Sequence, residues 1–207
     1  MLPIAASDAG ARSEVAALRV RDGRRVAIRP VLPGDAALVQ AFVRELSHES
    51  RRNRFFRPIA ELSPDQLARM TRVTNPRELG LVAYAAYPAT PRIVAMAQYA
   101  ICEPQCAEVA VAVADTWQRQ GLGERLSRLL LGYAEAMGIA SICGLVLDHN
   151  AAMLALAAKL GFSRAPHTDR TIVSIERTLK ARRRRAATET TGSPPIARRQ
   201  ARGLRQG

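Results

Sequence analysis

Residues 111–123, VAVADTWQRQGLG, carry the strongest structural signal in the sequence. This stretch begins as an apolar strand, passes through a turn with two glycines and runs directly into a predicted helix. The first N–H groups of a helix have no partner within it, and the helix dipole places partial positive charge there. Gly121 and Gly123 allow a ligand to approach the backbone, and Arg119 adds a full charge. The stretch predicts a phosphate-binding turn, with a purely structural turn as the alternative.

Strand and helix signals alternate on the N-terminal side of this turn. Residues 24–29 alternate polar and apolar side chains, which predicts a strand. Asp35 is a suitable N-cap for a helix that buries Leu38, Phe42 and Leu46, and Ser63-Pro64 with Gln66 predicts the start of a second helix. Three apolar runs, at residues 79–86, 93–101 and 107–114, then predict an antiparallel meander.

The order of elements changes after the turn. A helix is predicted over 121–137, a buried strand over 139–147, a helix over 150–160 that ends at Gly161, and a last strand over 171–179. Antiparallel strands followed by strand–helix–strand–helix predict an α/β protein of the α+β type. Its central sheet is expected to be mixed and mostly antiparallel, with helices on both faces.

Composition indicates one folded domain with a basic end. The chain has 207 residues, of which 48% are apolar and 24% charged, as in an average globular protein. The net charge is +13, and residues 180–207 hold nine basic residues against one acid, Glu189. We expect a disordered arm over 1–19, a domain over 20–180 and a disordered basic tail over 181–207. The tail either solubilises the protein or makes weak electrostatic contact with nucleic acid or acidic surfaces.

Several classes of protein are disfavoured by the composition. No apolar run is long enough to span a bilayer, and residues 1–12 lack the charge and apolarity of a secretory signal. Three cysteines argue against a disulfide scaffold and favour a cytoplasmic location. Cys102 and Cys106 bracket a turn, but no histidine or second cysteine pair accompanies them, so no metal is expected. Cys143 is expected to be a buried apolar residue.

Two motifs in the same order carry a family resemblance. QRQGLG, residues 118–123, matches the Q/R-x-x-G-x-G/A signature of the GNAT superfamily of N-acetyltransferases, and NAAM followed by KLGF, residues 150–153 and 159–162, resembles a second element. The resemblance covers about residues 20–180 and implies the GNAT fold with acetyl-CoA bound at the glycine turn. The residues it implies in cofactor binding are Val111, Val113, Gln118, Arg119, Gln120, Gly121, Leu122, Gly123 and Asn150.

A narrower resemblance concerns the acceptor. HESRRNRFF and LSPDQLARMT, residues 48–56 and 62–71, together with residues 107–123 are similar to the acetyltransferase domain of bacterial protein lysine acetyltransferases. That domain is often fused to a synthetase-like or nucleotide-sensing region, and here we expect it to stand alone. Phe55 and Phe56 are expected to pack into the core. The arginines around them are expected to line the acceptor groove: Arg51, Arg52, Arg54 and Arg57. Arg52 departs from the aromatic residue common in that family.

Glu108 is the candidate general base. An ammonium with a pKa of about 10.4 must lose a proton before it can attack a thioester. Glu108 is the one carboxylate in the run AEVAVAVA, where burial would raise its pKa toward neutrality, and the resemblance places a catalytic glutamate here. A carboxylate that keeps an edge strand soluble is the alternative. On a regular strand, Ala110, Ala112 and Ala114 share its face and leave room for a pantetheine arm.

The predicted function is direct transfer of an acetyl group from acetyl-CoA to a lysine side chain of a protein. Many GNAT enzymes have a tyrosine general acid four residues before the glycine of the second element, where this chain has Ala157, so the acid stays unassigned. One alternative is a small amine acceptor, such as a polyamine or an aminoglycoside, which the basic chain disfavours by charge repulsion. Another is a non-catalytic acyl-CoA sensor or nucleic-acid-binding adaptor.

Overall fold

The computed structural model describes residues 16–72, 77–85, 91–103 and 106–179. One eight-stranded sheet runs through this part of the chain in the order β1-β2-β3-β4-β5-β6-β8-β7. The strands are β1 (Ala16–Arg19), β2 (Arg25–Pro30), β3 (Glu78–Ala85), β4 (Arg92–Glu103), β5 (Cys106–Val113), β6 (Ser141–Leu147), β7 (Ser163–Ala165) and β8 (Ile172–Thr178). The helices are α1 (Ala36–Glu45), α2 (His48–Phe55), α3 (Pro64–Thr71), α4 (Leu122–Ala136) and α5 (Ala151–Lys159).

The predicted mixed sheet is confirmed. Strands β3, β4 and β5 form the expected antiparallel meander, and β5 pairs with β6 in parallel. All other neighbouring strands pair antiparallel. Helix α4 crosses between the two parallel strands, as the geometry of a parallel pair requires.

Helices cover both faces of the sheet. Gln98 of β4 accepts a hydrogen bond from Arg54 of α2 and donates one to the Met70 carbonyl of α3, so its face is the α1–α3 face. Val113, which pairs with Ala95 on the opposite side, lies against the start of α4. Lys159 of α5 is ion-paired with Glu124 of α4, which joins these two helices on the second face.

Two predicted helix starts have different outcomes. Ser63 caps α3 as predicted: its hydroxyl accepts from the Gln66 N–H, and the Gln66 side chain accepts from the Ser63 N–H. Asp35 precedes α1 but does not cap it with its side chain. Its carboxylate is instead buried in a two-hydrogen-bond pair with Arg29, at 2.6 and 2.7 Å, and also accepts from the Leu32 N–H.

The first strand of the sheet lies within the predicted N-terminal arm over 1–19. Residues 16–19 form β1, which pairs antiparallel with β2 along its whole length. A four-residue strand without alternating polarity gives little signal in the sequence, and the same holds for the three-residue β7. Helix α2 was not predicted either, because its polar sequence lacks apolar periodicity. Residues 1–15 and the predicted basic tail lie outside the described residues.

The core fills the space between the sheet and both helical layers. Phe42 of the predicted α1 core is buried together with Val39 and Val43, while Leu46 is buried just beyond the helix. Leu38 is only partly buried and packs against this core. Among the described residues, no helix combines the length and the apolar character needed to cross a bilayer.

The buried Arg29–Asp35 pair generates a stability prediction. Asp35→Ala leaves the Arg29 guanidinium buried without its carboxylate, and we expect a loss of about 3–5 kcal/mol in the free energy of unfolding. The matched control is Glu61→Ala, which removes the partner of Arg44 from an exposed ion pair and should cost about 0–1 kcal/mol. Urea unfolding of both variants measures the difference. Equal losses would contradict the assigned role of the buried pair.

Candidate functional site

Strands β5 and β6 pair over only three positions and then separate. The pairs are Cys106–Ser141, Ala107–Ile142 and Glu108–Cys143, whereas β5 continues to Val113 and β6 to Leu147. Gly144 follows the last pair, and a Cβ there would lie 3.2 Å from the Val109 carbonyl oxygen. A glycine at this position lets the strands stay close up to the point of separation. The opening widens toward the carboxyl ends of both strands, where residues 118–123 follow.

The backbone of β5 presents polar groups to this opening. The Ala114 N–H donates to the Val94 carbonyl at 2.9 Å, which fixes which residues of β5 are hydrogen-bonded to β4. Because these pairs alternate in an antiparallel ladder, Ala110 and Ala112 bond to β4, and the N–H and C=O groups of Val111 and Val113 point toward the opening. A ligand lying between the strands would meet these backbone groups.

The predicted turn adopts the backbone that its glycines permit. Gly121 has φ +81° at the N-cap of α4, and Arg119 also has positive φ, at +58°. The first N–H of the helix to bond within it is that of Arg125, which donates to the Gly121 carbonyl at 3.1 Å. The N–H groups of residues 122–124 precede that bond and are available to an anion.

Gly123 has a packing role. A Cβ there would lie 3.4 Å from Val113 Cγ2 and 3.6 Å from Leu156 Cδ2. The first turn of α4 therefore approaches β5 and α5 closely. This contact holds the helix N-terminus at the end of the opening.

The connection between β1 and β2 braces the turn, which the sequence did not predict. The Arg21 N–H and guanidinium donate to the carbonyls of Gln120 and Arg119, and the Asp22 N–H donates to the Gln120 side chain at 3.1 Å. Arg24 donates to the Thr116 carbonyl at 2.8 Å and stacks on the Trp117 ring, 3.6 Å from its centroid. The Gln120 side-chain oxygen therefore already accepts a hydrogen bond from the protein itself.

A basic cavity of about 280 Å³ lies between this connection and the turn. Its lining includes Arg19, Arg21, Gln120, Gly121, Glu124 and Arg125. The acidic member, Glu124, is ion-paired with Lys159 and Arg128, and hydrogen bonds from these two residues lower its pKa. The cavity therefore offers three arginines beside the helix N-terminus, which suits a phosphorylated ligand.

Polar bonds tie the other side of the turn to α2. The Gln118 side chain donates to Ser50 Oγ and to the Val113 carbonyl, each at 3.1 Å. Asp115 accepts from the Ser47 N–H and from the hydroxyls of Ser47 and Ser50. Burial acts to raise the pKa of Asp115, but these hydrogen bonds outweigh it and hold the pKa below its usual value. A phosphate contact of Gln118 stays a prediction.

Glu108 lies at the last pair before the opening. Strands flank it on both sides, which excludes the edge-strand alternative. Its side chain is exposed, so the burial expected from the apolar run is absent. The unbroken register from Ala107 to Val113 places Ala110 and Ala112 on its face, as predicted. Burial lowers the pKa of the nearby Arg54 to about 10, and the charge of Glu108 opposes that shift.

A hollow of about 280 Å³ opens beside Glu108 on the α1–α3 face of the sheet. Cys143 pairs with Glu108 and Glu176 pairs with Cys143, which puts these three side chains in one row across β5, β6 and β8. Leu145, whose side chain is 41% exposed, and Ser174 form the next row. Two carboxylates thus flank a partly apolar surface, a feature that becomes visible only from the strand register.

Other predicted residues have mixed outcomes. Arg51 donates to the Arg44 carbonyl, and Arg52 and Arg57 are exposed. Among the described contacts of these four arginines, only Arg54 has an interaction with Glu108.

The predicted aromatic residues, Asn150 and Ala157 have roles in packing and helix capping. Phe55 packs against the core, but Phe56 is 40% exposed because it ends α2 in the left-handed conformation. Asn150 caps α5 by accepting from the Met153 N–H, and its cofactor contact stays a prediction. Ala157 is buried.

The three cysteines come together, and Cys143, expected to be a buried apolar residue, is only partly buried. The Sγ atoms of Cys102, Cys106 and Cys143 all lie within 4.8 Å of one another. Burial and the neighbouring thiols raise the pKa of Cys143 to about 12. Local sequence spacing does not predict this cluster, since Cys143 lies 37 residues from Cys106.

Comparison with known proteins identifies relatives of this arrangement. The sequence profile of the acetyltransferase (GNAT) family matches residues 41–162. An acetyltransferase of Pseudomonas aeruginosa is 34% identical over 143 residues, covering 68% of this chain and 76% of the relative.

Solved structures show the same fold. The GNAT domain of S. lividans PAT superposes with a TM-score of 0.73 at 26% identity, over 79% of this chain and 96% of that domain. An acetyltransferase-family protein from Salmonella typhimurium, yncA, solved with its cofactor acetyl-CoA, superposes with a TM-score of 0.62 at 18% identity, over 75% of this chain and 94% of that one.

The Asp115 network gives a prediction with a pH dependence. Asp115→Asn weakens the hydrogen bonds from Ser47 and Ser50 and should cost about 1 kcal/mol at pH 7, because the carboxylate is largely exposed. A lowered folded-state pKa means that this contribution is present above the unfolded pKa of about 3.9 and is lost as the pH falls through the folded value. Urea unfolding at pH 7 and below pH 4 measures it. A difference between wild type and variant that grows in acid would contradict the assignment.

Proposed function

The chain belongs to the GNAT family of acetyl-CoA-dependent acetyltransferases, and we propose that its acceptor is a lysine side chain of a protein. The observation that carries the proposal is the position of Glu108. It lies where β5 and β6 begin to separate and also faces the hollow on the α1–α3 face. One carboxylate therefore adjoins both the proposed thioester channel and an open surface from which an amine can enter.

The chain's own residues fit acetyl-CoA at the opening. We assign the pyrophosphate to the N–H groups at the start of α4, with Arg21 and Arg125 neutralising its charge. The pantetheine arm would run between β5 and β6, where the N–H and C=O groups of Val111 and the N–H of Val113 match its amides. The Val113 carbonyl already accepts from the Gln118 side chain. This path ends at Glu108, so the thioester would lie beside that carboxylate.

The hollow supports an acceptor with a long apolar stem and a cationic end. Leu145 offers an exposed apolar contact, and Glu108 and Glu176 lie at positions two strands apart, roughly 10 Å between their Cα atoms. A lysine side chain has this chemistry. Because the part of the α1–α3 face around Glu108 and Leu145 is exposed, a side chain projecting from another protein can reach the hollow without entering a closed cavity.

The reaction follows from this placement. Glu108 accepts a proton from the lysine ammonium, directly or through water, because the neutral amine is scarce at pH 7. The amine nitrogen forms a bond to the thioester carbonyl carbon, and the C–S bond breaks. The sulfur leaves as a thiolate, whose conjugate acid has a pKa of about 8.5, so departure does not require a strong acid. The nitrogen then loses its second proton to the thiolate or to solvent, which gives the neutral amide and coenzyme A. A thiolate that leaves without a general acid is consistent with alanine at position 157, where many GNAT enzymes have a tyrosine.

The phosphate assignment predicts the effect of a charge at the turn. Gly121→Asp places a carboxylate at the N-cap of α4, where it repels the pyrophosphate, and strains a backbone with φ +81°. We expect loss of acetyl-CoA binding by calorimetry. Gly132→Asp is the control, because it introduces the same carboxylate in the middle of α4, where a Cβ has open space. Unchanged affinity in the Gly121 variant would exclude this site.

The base assignment predicts a loss of turnover without a loss of binding. Glu108→Gln keeps the shape but cannot take a proton, and we expect turnover to fall about 10²–10⁴-fold at neutral pH with acetyl-CoA affinity unchanged. Near-normal turnover would mean that another group is the base. Acetyl-lysine proteomics after overexpression of wild type and of this variant tests the acceptor. A protein lysine acceptor predicts sites that depend on Glu108, whereas a small amine acceptor or a sensor predicts none.

A further inference from the structure

The three cysteines form a preassembled set of sulfur ligands beside the proposed base. Cys102 lies at the irregular end of β4, Cys106 begins β5, and Cys143 is in β6. The register of β4 and β5 shifts between Ile101 and Glu103, and a bulge of this kind redirects the side chain of the extra residue. The three cysteines lie on three different strands, and they come together because β4, β5 and β6 are neighbours in the sheet.

The distances match those that a thiophilic cation requires. The Cys143 Sγ lies 3.7 Å from that of Cys106 and 3.9 Å from that of Cys102. With Zn–S bonds of about 2.3 Å, two sulfurs of a tetrahedral site are about 3.8 Å apart. The third pair lies within 4.8 Å, so a small side-chain rotation completes the set. A disulfide needs a separation of about 2.05 Å between two of these atoms and leaves the third unused.

We propose that Cys102, Cys106 and Cys143 bind one thiophilic d¹⁰ cation, Zn²⁺ or Cu⁺, at the base of the hollow beside Glu108. Three thiolates and an open position for water or a further ligand suit Zn²⁺, while three thiolates alone suit Cu⁺. Each thiol releases its proton to solvent on coordination. Cys102 is exposed, which gives the cation a path to the other two sulfurs.

The cation site has a consequence for catalysis, which rests on the proposed function. Cys143 pairs with Glu108 and lines the same hollow. A cation held there stands where the acceptor amine would enter and attracts the Glu108 carboxylate. Bound metal should therefore inhibit acetyl transfer while leaving the distant basic cavity at Gly121 free.

The test is a titration of untagged, fully reduced protein with Co²⁺, followed by displacement with Zn²⁺ and separately with Cu⁺. We expect an intense near-ultraviolet thiolate-to-cobalt band that saturates at one equivalent and disappears on displacement. Cys102→Ser, Cys106→Ser and Cys143→Ser should each lose or strongly weaken it. The control replaces the chain's three histidines, His48, His149 and His167, by alanine and should keep the band.

A second measurement does not depend on the variants folding. In wild-type protein, Zn²⁺ should protect all three thiols from alkylation, as counted by mass spectrometry, and a chelator should restore their reactivity. Absence of both the band and the protection would overturn the metal site. A band that survives in the cysteine variants and disappears in the histidine variant would also overturn it.

Turnover separates this inference from the proposed function. Zn²⁺ should lower the acetylation rate of wild type and leave that of Cys102→Ser nearly unchanged. If the metal binds but the wild-type rate does not fall, the site stands and its inhibitory role is wrong. If Glu108→Gln has normal turnover, the base assignment fails while the spectroscopic result is unaffected.

Discussion

The separation of β5 from β6 after three paired positions determines the geometry of the candidate site. Parallel strands that stayed paired would close the sheet and leave Val111 and Val113 with no groups to offer a ligand. Gly144 allows the two strands to stay close up to the point of separation, because a Cβ there would lie 3.2 Å from the Val109 carbonyl oxygen. The same point fixes the position of Glu108. In the proposed function, this single break in the ladder creates both the channel for the pantetheine arm and the place beside Glu108 where the thioester stops.

The turn at the wide end of this opening is held from two sides. The β1–β2 connection bonds to the carbonyls of Arg119 and Gln120, and α2 bonds through Ser47 and Ser50 to Asp115. Positive φ at Arg119 costs free energy, and these contacts offset it. A preformed turn loses less conformational entropy when it binds phosphate. The elements that flank the glycine turn in space therefore contribute to its proposed role in phosphate binding, although they are distant in sequence.

The sequence predicts local features well and long-range ones poorly. The glycine turn, the Ser63 cap and the meander depend on residues a few positions apart, and the structure has all three. The bracing of Gln120 by Asp22 spans 98 residues and depends on sheet register, which no local pattern encodes. The position of Glu176 beside Cys143 and the clustering of the three cysteines also depend on sheet register. At Asp35 a local pattern misleads: aspartate is a favourable N-cap residue, but here its carboxylate pairs with the buried Arg29 guanidinium.

The proposed function requires the β5–β6 opening to carry the thioester to Glu108, and a crystal structure of the protein with a non-hydrolysable acetyl-CoA analogue would show whether it does. We expect pyrophosphate oxygens on the N–H groups at the start of α4, the pantetheine amides paired with the backbone of Val111 and Val113, and the acyl carbonyl beside Glu108. An analogue bound elsewhere, or one whose acyl group points away from Glu108 and the hollow, would mean that the opening is not the thioester channel.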